Sequence, residues 1–144
     1  VGIGLLFEGA VVQKDIDYYP INYQKYLTIG ADYTFGLGNG LYLAGEHLKI
    51  DVSGDLTSRG EGAELSALMT SYNVSLWDMV MGVFYYSWET QDLYNFFTWR
   101  RTFDNFSFNI SAFWNPETTF MSVGNNTSTF GTGKGFQIMV VYNH

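Results

Sequence analysis

The chain has 144 residues, with 7 Lys plus Arg against 14 Asp plus Glu and no Cys. Charged residues make up 15% and aromatics 19%, which excludes the aromatic-poor, charge-rich composition of a disordered chain and the Ala/Glu/Lys/Leu-rich composition of a helical bundle. A net charge of −7 leaves no basic patch for nucleic acid, and the lack of Cys excludes disulfides and thiolate metal sites.

Period-two alternation dominates the chain, and no stretch approaches the roughly 18 uninterrupted apolar residues of a transmembrane helix. The opening segment sets Val1, Ile3, Leu5, Phe7 and Val11 against Gly2, Gly4, Leu6, Glu8 and Ala10. Residues 25–36 set Leu27, Ile29, Ala31, Tyr33 and Phe35 against Tyr26, Thr28, Gly30, Asp32 and Thr34. Residues 41–51 resist a clean assignment: turning Glu46 inward forces His47 and Lys49 outward, unless a bulge resets the alternation. Residues 65–76 place Leu68, Tyr72, Val74 and Leu76 on the apolar side. Residues 79–89 carry Val80, Phe84, Tyr86 and Trp88 on one face and Met79, Met81 and Val83 on the other. Residues 94–103 set Phe97, Trp99 and Phe103 against Phe96, Thr98, Arg100 and Thr102. Residues 106–114 alternate Phe106, Phe108, Ile110, Ala112 and Trp114 with polar positions, and 136–143 alternate Phe136, Ile138, Val140 and Tyr142 with Gln137, Met139, Val141 and Asn143.

Long polar connections (15–24, 53–64, 115–135) and one of intermediate length (90–93) alternate with tight ones around Gly36-Leu37-Gly38-Asn39-Gly40, Trp77-Asp78 and Asp104-Asn105. The Gly- and Asn-rich segment suits a hairpin turn, since these residues tolerate positive φ. The expectation is an all-β, single-domain chain over residues 1–144: an antiparallel up-and-down meander of about eight strands, closed as a barrel.

A barrel of this size has two inverse forms. A soluble, calycin-like barrel has an apolar lumen for a small apolar ligand and a hydrated, charged exterior; a transmembrane barrel has an apolar exterior and a polar lumen. The non-apolar faces here hold Gly, Thr, Ser, Asn and Gln, not dense Lys and Glu, which favours the membrane form. Glu8, Asp32, Glu46 and Arg100 fall on the inner face, where they avoid the roughly 2–4 kcal/mol that a mid-membrane Arg or Lys costs on the lipid side. Tyr18, Tyr19, Tyr23, Trp88, Tyr94 and Trp114 gather at the long-loop end, and Tyr42, Trp77, Phe103, Phe106 and Tyr142 at the short-turn end, as two interfacial belts.

With these features the sequence resembles a bacterial outer-membrane β-barrel protein. The resemblance implies short turns and both termini in the periplasm, long loops outside, and a C-terminal assembly signal. Phe136, Ile138, Val140 and Tyr142 match that signal, with His144 where the family usually has Phe. Residues 31–47 (ADYTFGLGNGLYLAGEH) resemble hairpins of larger porin-like barrels, so the chain is also readable as the C-terminal part of a wider barrel. The function expected is a porin-like solute channel or a structural or adhesive protein, with the lipid bilayer and small solutes as partners and no cofactor or metal. Glu8, Asp32, Glu46 and Arg100 form either a polar network plugging a narrow lumen or the lining of a cation-favouring pore. A lipid- or peptide-modifying enzyme is the weakest alternative: His47 lies near Ser53 and acids, but no G-x-S-x-G element is present. Asp15, Asp17, Asp51, Asp55, Glu61 and Glu64 lack the spacing of a calcium loop.

Overall fold

The structure is a computed structural model that describes residues 2–13, 23–117, 122–123, 126–127 and 133–142. It is all-β. Eight strands form one antiparallel sheet: β1 (Gly4–Gln13), β2 (Tyr23–Phe35), β3 (Leu41–Ser53), β4 (Glu61–Asn73), β5 (Asp78–Ser87), β6 (Asp92–Thr102), β7 (Phe106–Trp114) and β10 (Lys134–Tyr142). The pair β8 (Ser122–Val123) and β9 (Asn126–Thr127) forms a separate small hairpin within the last connection. Strand order in the large sheet follows chain order, so each ladder joins consecutive members of a meander. The sheet is open: β1 and β10 stand at its two edges and are not paired with each other.

The expected rhythm of connections is present. Gln13, Tyr23, residues 54–60 and 88–91, Trp114 and Lys134 lie at one end of the strands; residues 36–40, 74–77 and 103–105 lie at the other, together with Gly4 and Tyr142. Turn 36–40 depends on glycine. Gly38 and Gly40 have φ of 55° and 96°, a region that costs an L side chain energy, and Gly40 N donates to Leu37 O at 3.0 Å.

Two sequence expectations need correction. The fourth strand spans Glu61–Asn73, not 65–76. Val74 and Leu76 are the end of an apolar alternation, but Ser75 draws them into a turn. Its hydroxyl accepts from Trp77 N and Asp78 N, both at 3.1 Å, and donates to Asp78 Oδ2 at 2.8 Å. A side chain that satisfies local backbone donors competes with the ladder, and Leu76 is left 95% exposed. The second correction concerns the connection 53–64, whose last residues, from Glu61 on, belong to β4.

The third strand resolves without a bulge. Leu41 to Ser53 pair continuously with β2, and Leu41 to Val52 with β4. Glu46 therefore shares a face with Leu48 and Ile50, and His47 shares the other with Lys49 and Asp51.

The two faces differ. One, here the outer face, carries Leu5, Phe7, Leu27, Ile29, Leu68, Phe97, Phe136, Ile138 and Val140, all exposed. The other, the inner face, carries the sheltered Leu65, Ser87, Ser107 and Tyr94, the last only 1% exposed. Glycines are covered by rings on both: a methyl group at Gly135 would stand 2.5 Å from Phe113 Cζ on the inner face, and one at Gly82 would stand 3.1 Å from Phe84 Cε2 on the outer.

The Ser75 turn yields a direct expectation. Ser75→Ala removes the acceptor of two backbone N–H groups, so denaturant unfolding followed by tryptophan fluorescence should show a loss of about 1 kcal/mol. An unchanged midpoint would mean that the turn is set by backbone geometry alone.

Candidate functional site

Because side chains alternate and the ladders are unbroken, the face of every strand residue follows from its partner. Glu8 pairs with Thr28, Asp32 with Ala44, Glu46 with Gly30, and Arg100 with Met79 and Asn109. Tracing these pairs across the sheet puts Glu8, Asp32, Glu46 and Arg100 on the inner face. Two glycines make room for the acids. The Asp32 carboxylate lies over Gly4, and a methyl group at Gly30 would stand 3.0 Å from Glu46 Cγ.

The four residues share a face but do not form a network in the open sheet. The three acids lie on β1 to β3 and Arg100 lies on β6, and among the described residues none of the four has an ion-pair partner. The rest of the inner face is divided. Thr28, Thr34 and Ser71 lie on the acidic side. Met79, Met81, Val83, Phe96 and Phe113 make the β5–β7 side largely apolar, with Tyr85 set against Phe96 at 6.2 Å and Thr98 Oγ1 hydrogen-bonded to Ser111 Oγ at 3.0 Å.

The outer face holds a second polar cluster that sequence patterning missed as a unit. At the long-loop end Lys25 Nζ meets Asp51 Oδ1 at 3.2 Å, and Asp51 also accepts from Gly60 N at 3.2 Å. One row inward, Lys49 pairs with Glu64. Next, His47 Nδ1 and Ser66 Oγ are 2.9 Å apart, and Ser66 Oγ accepts from Trp88 Nε1 at 2.9 Å. The ladder explains the cluster: Lys25 is opposite Asp51, Lys49 opposite Glu64 and His47 opposite Ser66, so each is a direct cross-strand pair. The only sequence clue was the parity of 41–51, which two ladders settle. Pairing lets two lysines, two acids and a histidine sit on the outer face near its long-loop end, as Asp78 and Arg101 do near the short-turn end.

His47 therefore meets Ser66, not Ser53, whose hydroxyl donates to Asp55 O at 2.7 Å. Asp51 and Glu64 are held by lysines, and among the described residues no group of three or more His, Cys, Asp or Glu could hold a metal ion. Asp15 and Asp17 lie outside the described residues.

The aromatic belts are partly revised. At the long-loop end Trp88 and Trp114 are exposed, and Tyr86 meets Trp88 edge-on at 5.0 Å. At the short-turn end Phe103 stacks on Phe106 at 4.3 Å with the Arg101 guanidinium 5.4 Å above Phe103, and Trp77 and Tyr142 are exposed nearby. Tyr94 and Tyr42 do not belong: both lie on the inner face, because their partners Tyr85 and Thr34 do. Tyr18 and Tyr19 lie outside the described residues. Phe136, Ile138, Val140 and Tyr142 share the outer face of β10, opposite Ala112, Ile110, Phe108 and Phe106; His144 lies outside the described residues.

Comparison with family models, with curated proteins and with solved structures returned no match.

The outer-face ion pairs are part-exposed, so each should be weak. A double-mutant cycle on Lys49→Met and Glu64→Gln should give a coupling below about 1 kcal/mol in unfolding free energy, shrinking in 1 M salt. A coupling several times larger that ignores salt would place the pair in a dry environment.

Proposed function

We propose that this chain is a transmembrane β-barrel of the bacterial outer-membrane type, non-catalytic, serving solute passage or envelope structure and adhesion. Its partner is the lipid bilayer, with the long connections outside and the termini periplasmic. The observation that carries the reading is the outer face. Leu27 and Ile29, Leu68, Phe97, and Ile138 and Val140 stand exposed on four different strands, and no helix among the described residues covers them. Soluble monomers rarely leave so continuous an apolar surface to water. A lipid bilayer accepts it, provided that backbone groups are paired, as a meander closed into a barrel achieves.

Charge and aromatics support the same orientation. The outer-face charges Lys25, Asp51, Lys49 and Glu64 lie at the long-loop end in cross-strand pairs, and Asp78 and Arg101 pair at 3.7 Å at the short-turn end, where headgroup layers would hydrate them. Trp88, Trp114, Trp77, Phe106 and Tyr142 flank the apolar zone, as interfacial aromatics do. The soluble ligand-binding alternative needs the apolar residues of the outer face sheltered, whereas Ile138 and Val140 are exposed.

A second reading is favoured by one observation: β1 and β10 keep free edges. Eight strands of a wider, porin-like barrel would do the same.

The test is insertion. The refolded chain should need detergent and should fold into phosphatidylcholine vesicles, gaining protease protection. Ile29→Arg, in the middle of the outer face of β2, should cost about 2–4 kcal/mol in vesicle folding equilibria. A chain that stays monomeric and folded in plain buffer, and tolerates Ile29→Arg, overturns the reading.

A further inference from the structure

The two free edges carry a quantitative relation. Starting at Gly4 and crossing the sheet from partner to partner, the path runs through Asp32, Ala44, Met69, Val83, Phe96 and Phe113 to Gly135. Gly4 begins β1 at the short-turn end, yet Gly135 lies at the opposite end of β10, which runs on to Tyr142. The sheet is thus staggered by about one residue per strand, and one more step brings the total to a shear of about eight for eight strands. With a rise of about 3.3 Å and a strand spacing of about 4.8 Å, that shear tilts the strands by about 35°, at the edge of the usual range for closed barrels.

We infer that β10 pairs with β1 of the same chain, in the register Leu5↔Tyr142 through Gln13↔Lys134, and that this seam sets Arg100 against Asp32 across the lumen. The inference deepens the barrel reading and rests on it.

Three observations favour this register, which pairs more residues than the two-residue slips that would keep the faces together. It covers the whole of β10 and all of β1 but Gly4. Meander order makes the two edges antiparallel. The odd residues of β1 and the even residues of β10 already share the outer face, so Phe7 meets Val140 and Val11 meets Phe136 there, while Glu8 meets Met139 and Ala10 meets Gln137 inside. A slip by one residue would put the apolar set of one strand against the polar set of the other.

Closure also supplies what the inner face lacks. In a ring of eight strands β2 and β6 are opposite one another. The residue level with Asp32 on β6 is Phe96. A one-residue stagger over four strands moves the facing position four residues toward the short-turn end, to Arg100. The backbones would be about 15 Å apart across the lumen, a gap that an extended Arg and an Asp together nearly span. In the open sheet both side chains lack an ion-pair partner among the described residues; closed, the pair would bar the bore, favouring a structural or adhesive protein over a channel.

The test uses the natural lack of Cys. Phe7→Cys with Val140→Cys and Glu8→Cys with Met139→Cys, folded in vesicles and oxidised, should each be compared with the offset pair Phe7→Cys with Phe136→Cys. One of the two in-register pairs is the closely spaced type and should give a within-chain disulfide in most molecules, the offset pair little or none. Disulfides between chains, or vesicle-folded protein with no in-register disulfide, overturn the seam while leaving membrane insertion standing. Failure to enter vesicles overturns the barrel reading itself. Separately, Asp32→Arg and Arg100→Asp should each lower the folded fraction severalfold, and the exchanged double variant should recover most of it. A double variant no better than the worse single one overturns the cross-lumen pair.

Discussion

Side chains of a strand alternate between faces with period two, so one misplaced residue would exchange the faces of everything after it. Seven consecutive ladders join the eight strands of this sheet without such an interruption. That continuity sorts the chain into two faces, the outer one carrying exposed aliphatic and aromatic residues from β1 to β10 and the inner one carrying Leu65 and Tyr94, the buried hydrophobic residues among those described. It also gathers Glu8, Asp32, Glu46 and Arg100 on the inner face although they come from four strands. Every functional statement made about this protein depends on that sorting, because the residues concerned are distant in sequence and meet only through register.

Most of the architecture was legible because alternation is a local signal. Segments 25–36 and 106–114 contain almost nothing that conflicts with period two, and their strands lie close to where the pattern puts them. The fourth strand was harder. Val74 and Leu76 continue the apolar rhythm, and only the hydrogen bonds of the Ser75 hydroxyl reveal a turn. Local chemistry of that kind outweighs periodicity when a single short side chain satisfies several backbone groups. Strand 41–53 shows the opposite case: its parity is ambiguous alone and settled once two neighbours pair with it.

The candidate sites were legible to different degrees. Glu8, Asp32 and Arg100 could be assigned from parity, whereas Glu46 needed the pairing of β3 with both its neighbours. The outer-face pairs Lys25–Asp51 and Lys49–Glu64 could not, because each unites residues from two strands whose relative register the sequence does not state. The same applies to His47, whose nearest hydroxyl in sequence order is not its partner in space. Tyr94 and Tyr42 illustrate a related error. Position near a strand end suggests an interfacial ring, but the face decides, and theirs is the inner one.

The meander order has a consequence for how the sheet is made. Each ladder joins strands that are neighbours in the chain, and three of the connections are the short turns 36–40, 74–77 and 103–105. Three hairpins can therefore form over small separations, where loop closure costs little entropy, and local contacts of this kind speed folding. The connection 115–133 is different, since it must bring β10 back to β7 across a much longer span. The last strand is thus the one whose arrival costs most, and it carries one of the sheet's two open edges until that edge finds a partner.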